Sequence, residues 1–310
     1  MTLRVLVTGA TGFIGSYVAR RLAEEKDVHT TFLARASSDA WRFADVLPKV
    51  TRLDVDLGDS EKLTAALATA KPDVVVHLAW KGVGNAERNA PVQMENLPDT
   101  LALIRAAHAA GARAFVGLGS QAEYGPQTGA LAETAQTQPT TLYGVTKLAT
   151  SHFARHACGE LGMRYAWVRV FSTYGAKDNP SWMIPSLIMQ LLAKKRPPLT
   201  PGEQRWDYLH VSDAASAIAT VALNDAATGV FNLGSGEART IRTIVEQIRD
   251  TIDPALPLGF GEVPYRPDQV MHLEAKIDRL RAVGWSPKMT LERGMAETVA
   301  WYREHGEGKA

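Results

Sequence analysis

From its first residues the chain alternates short, continuously apolar, β-branched runs with stretches of helical period. The runs at 3–8, 28–33, 73–78 and 114–118 predict strands, and 15–25, 60–70 and 95–110 between them predict helices. A helix over 143–161 and a strand over 164–171 continue the alternation. Unbroken apolar strands suit a parallel sheet covered by helices on both faces, so the expected fold is α/β, a doubly wound parallel sheet. After about residue 172 the pattern shortens and prolines cluster, first at Pro180, Pro185, Pro197, Pro198 and Pro201. A smaller lobe is therefore expected from 173–205 and 236–310, laid against a large domain of 1–172 with a returning segment at 206–235.

Composition narrows the chemistry. The 310 residues carry a net charge of +1 with acids and bases interspersed, which leaves no field for nucleic acid or an anionic membrane. Cys158 is the only cysteine, which excludes an internal disulfide framework and a thiolate metal cluster. His152 and His156 lie four apart near it but lack a third ligand, so no metal site is expected. No run approaches the roughly 20 apolar residues of a bilayer span. The apolar run at 3–7 is too short for a signal core. A cytoplasmic protein is the expectation.

The predicted first strand runs into Gly9-Ala-Thr11-Gly12-Phe13-Ile14-Gly15. Glycines at these positions allow a tight turn (Gly9), approach of backbone amides to a pyrophosphate (Gly12), and close packing of helix on sheet (Gly15). The helix start adds amides and a positive dipole end. With this spacing the chain resembles the extended short-chain dehydrogenase/reductases, the epimerase/dehydratase group that acts on nucleotide-activated sugars. The resemblance runs from Leu3 to about Tyr302. It implies a Rossmann-type dinucleotide domain with a substrate lobe, and contacts to the cofactor from Asp56, Leu57, Leu78, Ala79, Trp80, Asn96 and Phe171. An acid at the end of the second strand would bond the adenosine ribose, whereas Arg35 followed by Ser37 and Ser38 suits a 2′-phosphate. NADP(H) is therefore expected over NAD(H).

Tyr143 and Lys147 stand four apart on the predicted helix and share a face. A nearby ammonium stabilises a phenolate, which makes a tyrosine useful as acid or base near neutral pH. Ser120 falls at the family position that hydrogen-bonds the reacting oxygen. Together Ser120, Tyr143 and Lys147 imply hydride transfer at a sugar carbinol or ketone.

Family dehydratases carry an acid pair directly after the Ser/Thr, where this chain has Gln121 and Ala122; Glu123 is displaced by one and is expected to point elsewhere. Two activities remain. The run 119–125, Gly-Ser-Gln-Ala-Glu-Tyr-Gly, is similar to that of NDP-4-keto-6-deoxyhexose 4-reductases of the CDP-abequose and dTDP-fucose kinds. The expectation is an NADPH-dependent 4-ketoreductase, with an NAD-dependent 4-epimerase as the alternative. For substrate, the resemblance singles out Lys81, Gln121, Ser172, Trp182, Arg205, Trp206 and Arg266, the last in a late loop with Pro267 and Asp268. Ser212 or Asp213 is expected to cap a helix after His210. The helices at 95–110 and 146–161 imply a homodimer interface.

Overall fold

The computed structural model describes residues 2–306 apart from 267 and 268. The chain opens with β1 (Leu3–Thr8), α1 (Phe13–Ala23), β2 (Val28–Ala34), β3 (Thr51–Asp54), α2 (Ser60–Ala70), β4 (Val74–His77), α3 (Asn96–Ala109) and β5 (Ala114–Ser120). It continues through β6 (Ala130–Leu131), α4 (Leu142–Glu160), β7 (Arg164–Val170), β8 (Ser172–Tyr174), α5 (Met183–Leu192), β9 (Pro198–Leu199), β10 (Arg205–His210) and α6 (Val211–Leu223). β11 (Gly229–Leu233), β12 (Ala238–Thr240), α7 (Ile241–Ile252), β13 (Gly259–Phe260), β14 (His272–Ala275), α8 (Asp278–Ala282) and α9 (Leu291–His305) complete it.

Seven strands form one parallel sheet in the order β11-β7-β5-β4-β1-β2-β3. Successive residues of each strand point to opposite faces. Val5 and Val7 join a core with Val18 and Leu22 of α1 and Ile218 and Val221 of α6. Leu6 faces the other core, with Leu67 of α2, Leu103 of α3 and Ala154 of α4. Both faces are thus covered, which is why these strands lack a polar alternation. The chain winds outward in both directions from β1 and β4. Their carboxyl ends part there and leave the crevice in which such folds place ligands.

A second sheet, β12-β10-β14-β6, also pairs β8 with β10. Of the returning segment, α6 and β11 complete the large layer, while β10 lies in this smaller sheet. A third core is packed between α5, α7 and α9, from Ile188, Leu191, Ile244, Ile248, Met295 and Val299. In α7 the apolar residues recur at Ile241, Ile244, Val245 and Ile248, a single helical face. β3 was not predicted from the pattern. It is a polar, partly exposed edge strand with no apolar run to announce it. Among the described residues no helix is long and apolar enough to cross a membrane.

Candidate active site

β1 and β4 meet at the crevice through side chains that the sequence reading did not single out. The Ala79 amide donates to Thr8 Oγ1 (3.2 Å), and Thr8 Oγ1 lies 2.8 Å from His77 Nδ1. His77 Nε2 lies 3.1 Å from Thr100 Oγ1, and the Thr100 hydroxyl donates to the Asn96 carbonyl (2.7 Å). Thr100 has given its proton away, so it accepts from His77 Nε2–H, and Nδ1 accepts from Thr8. The row of bonds fixes one neutral tautomer. Burial, with the Lys147 charge adding to it, pushes His77 down to about 3. A histidine closing the apolar run at 74–76 was the available signal.

The glycine loop lies against this row. Gly9 has φ +74°, and a Cβ there would sit 2.5 Å from the Ala79 amide nitrogen. A Cβ on Gly15 would collide with the Gly9 carbonyl oxygen. α1 begins at Gly12 with no side-chain cap, which leaves its first-turn amides, around Phe13 and Ile14, for a ligand. These residues fit a dinucleotide pyrophosphate. Thr11 is tied from outside, because Arg42 Nη1 donates to its carbonyl (3.2 Å). Asn96, expected at the cofactor, pins the loop at Lys81. Its Oδ1 accepts from the Lys81 amide (2.7 Å) and its Nδ2 donates to the Lys81 and Gln93 carbonyls. Phe171 is buried against Tyr124 at 6.2 Å. Leu57 packs on the core beside α2, while Asp56 is exposed and holds the Gly58 amide.

Ser120, Tyr143, Lys147 and Trp80 come together at the carboxyl end of β5. Thr141 caps α4 by accepting from the Gly144 amide (3.1 Å), which sets Tyr143 and Lys147 on the first turns facing the sheet. Lys147 Nζ donates to the Leu118 carbonyl (2.6 Å) and lies 3.6 Å from the Trp80 ring centroid. Burial pushes this ammonium down to about 7, with the Glu123 charge opposing. Trp80 meets Tyr143 edge-on at 6.2 Å. Burial pushes the Tyr143 phenol up, while a hydrogen bond with Ser120 and the Arg88 charge draw it back.

Behind Ser120 the Glu123 side chain turns into the core. Its Oε1 accepts from the Ser120 amide (2.8 Å) and Trp167 Nε1 (2.9 Å), and its Oε2 from Arg169 Nε (2.7 Å). Both members of the ion pair are sealed from water. Gln121 and Ala122 are half-buried in the short 3-10 turn Gln121–Glu123.

Three of the other residues singled out for substrate, Lys81, Arg205 and Trp206, have side-chain partners of their own. Lys81 Nζ pairs with Glu95 (2.9 Å) and Asp99 (3.0 Å). Arg205 Nη2 donates to the Ala238 carbonyl (2.7 Å), and Trp206 Nε1 to that of Val270 (2.9 Å). Trp206, partly buried, packs against the large core and the third core. Ser172 lies in β8 paired with Tyr208, and Trp182 is half-buried at the start of α5. Arg266 is exposed, and Pro267 and Asp268 lie outside the described residues. α6 is capped by His210, whose Nδ1 accepts from the Ser212 amide, and not by Ser212 or Asp213. Asp213 instead accepts from the Lys288 and Met289 amides. His152 and His156 are exposed, and no group of three metal-ligating side chains is close enough to hold an ion among the described residues.

The profile of the NAD dependent epimerase/dehydratase family matches residues 5–234. The chain is 29% identical to the UDP-glucose 4-epimerase of Azospirillum brasilense, covering 99% of this chain and 94% of that one. It is 31% identical to the dTDP-glucose 4,6-dehydratase of Streptomyces griseus, over 98% and 95% respectively. A solved UDP-glucose 4-epimerase from Stenotrophomonas maltophila, with bound NAD and formylated UDP-arabinopyranose, superposes with a TM-score of 0.88. That pair is 26% identical, over 99% of this chain and 100% of the other.

These findings overturn two expectations. The NADP(H) expectation is set against a family described as NAD dependent and against the NAD held by the Stenotrophomonas enzyme. Arg35 and Ser37 are exposed, and no hydrogen bond or ion pair fixes the Arg35 side chain among the described residues. The turn they form is held from its carbonyl side, where Arg52 Nη2 donates to the Arg35, Ala36 and Ser38 oxygens. A 2′-phosphate site needs several anchored donors that converge; a strand-end arginine alone does not make one. The NADPH-dependent 4-ketoreductase fails with it, since the relatives named above are epimerases and a dehydratase. Ser120, Tyr143 and Lys147 serve hydride transfer in either direction, so residue types alone could not separate these activities. The chain is an NAD(P)-dependent oxidoreductase and belongs to the NAD dependent epimerase/dehydratase family.

Proposed function

We propose that the chain is a nucleotide-sugar 4-epimerase working with tightly bound NAD. One observation carries the choice of epimerase over dehydratase. Both oxygens of Glu123 are committed to Ser120, Trp167 and Arg169 in a sealed core, and Ala122 has no proton to transfer. Elimination of water needs a second acid and base beside the tyrosine. Epimerisation needs only one group that takes a proton and returns it.

In this reading Gly9, Thr11, Gly12, Phe13, Ile14 and Gly15 hold the pyrophosphate, with Leu78 and Ala79 beneath the ribose. Bound NAD supplies a reversible hydride acceptor. Tyr143, as phenolate, takes the proton of the sugar's C4 hydroxyl, and the Ser120 hydroxyl donates a hydrogen bond to the same oxygen. Tyr143 keeps that proton while the ketone turns over in the site. It returns the proton once the opposite face is presented, so no net oxidation results. Lys147 stabilises the phenolate. Gln121, Ser172 and Trp182 line the sugar side.

The relatives named for UDP-glucose make UDP-hexoses the first substrates to try. Protein with its co-purified NAD is incubated with UDP-hexose pairs that differ only at C4, without added cofactor. Interconversion supports the reading, and release of a 4-keto-6-deoxy product would replace it with dehydration. A homodimer belongs to the same proposal, because Val145 and Phe153 on α4 stand 46% and 53% exposed. Phe153→Asp should yield monomers by sedimentation.

A further inference from the structure

We propose that Arg88 is a positioning residue for Tyr143, a guanidinium fixed over the ring face that holds the phenolate by a permanent positive charge. The inference rests on Tyr143 acting as the acid/base. Arg88 Cζ lies 5.0 Å from the Tyr143 ring centroid. Asn85 Oδ1 accepts from Arg88 Nε (3.2 Å) and steadies the group. The backbone sets the register: the Tyr143 amide donates to the Arg88 carbonyl (2.8 Å), and the Leu142 amide to Asn89 Oδ1 (2.9 Å). These are amides at the start of α4 that the helix itself leaves without partners. The same loop is tied down by Gln93, which donates to the Glu87 carbonyl (3.0 Å) and accepts from Trp80 Nε1 (2.9 Å).

Each group around Tyr143 has a distinct part. From β5, Ser120 hydrogen-bonds it, and the buried Glu123 carboxylate behind opposes ionisation. Trp80 presents an edge, and Lys147 Nζ lies 5.9 Å from the ring centroid while it donates to Leu118. Lys147 is buried, and burial pushes its ammonium down to about 7. A guanidinium keeps its charge at any pH the fold survives. A cation over the face of a tyrosine favours the ring's negative form, and more so once the phenolate carries full charge.

The test is an ultraviolet pH titration of phenolate absorbance on the NAD-bound protein, taken as the difference against Y143F in the same background. R88M is expected to ionise Tyr143 about one pH unit higher than the unsubstituted protein. The rising limb of kcat against pH should move with it, and R88K should restore most of the shift. R88Q, which keeps a polar partner for Asn85, stands in if R88M does not fold. Titration of R88M or R88Q at the original pH overturns the inference. Unmoved ionisation in a protein that still epimerises sinks Arg88's role alone. Moved ionisation in a protein that never epimerises sinks the functional reading alone.

Discussion

Glu123 and Arg169 form an ion pair of 2.7 Å at the back of the site, with side-chain exposures of 0% and 6%. The pair carries the end of β5, because the other Glu123 oxygen holds the Ser120 amide. E123Q leaves a buried guanidinium without its counter-charge. A loss of about 3–5 kcal/mol in urea unfolding is expected, the usual consequence of breaking a buried pair. The kcat of the folded fraction should fall less than tenfold, since Glu123 transfers no proton. A collapse of kcat at unchanged stability would contradict this.

His77 ties stability to pH. The unfolded chain protonates this histidine near 6.5, whereas the folded protein holds it neutral to about 3. The unfolded state therefore binds more protons between those values. The stability tied to neutral His77 is complete above pH about 6.5 and is lost progressively as the pH falls towards about 3, at roughly 1.4 kcal/mol per pH unit. The unsubstituted protein should lose about 2 kcal/mol more than H77N between pH 6.5 and 5 in parallel urea titrations. Equal slopes would mean that the row from Thr8 to Thr100 does not hold the neutral ring.

Gly15 sets how closely α1 approaches the turn after β1. Because a Cβ there meets the Gly9 carbonyl oxygen, G15A must push the helix start away. Overpacking of this kind costs about 1–3 kcal/mol. The purified variant should also retain much less NAD, measured in the extract after denaturation. Full NAD occupancy would place the pyrophosphate elsewhere.

Y143F removes the proton-transferring oxygen and leaves the ring in place beside Trp80. A fall in kcat of about 10²–10⁴-fold is expected, with NAD still bound. Activity within tenfold of the parent would remove Tyr143 from the chemistry.

Much of the fold was written in local pattern. β1 begins and ends where its apolar run does, as does α2, because covered parallel strands and amphipathic helices need those residues. β3 was not visible, being a polar edge strand defined by its partner β2. Tyr143 and Lys147 were singled out from spacing, since a helical turn places them on one face, and Ser120 from the family resemblance. Arg88 and the His77 row were not, because their partners lie 23 to 69 residues away along the chain and only the fold joins them. Arg205 and Trp206 have residue types suited to phosphate and base, and each donates a hydrogen bond to a backbone carbonyl that only the fold brings near. The cofactor was misread because one exposed arginine looks the same in sequence whether or not other donors converge on it.

The most direct test of the central claim is proton NMR of a UDP-hexose incubated with the purified protein and no added nicotinamide. The account predicts that the C4 epimer accumulates to a fixed equilibrium ratio, reached from either hexose, while the bound cofactor ends as NAD. A 4-keto-6-deoxy sugar as the product, or turnover only when a reduced nicotinamide is supplied and consumed mole for mole, would contradict it.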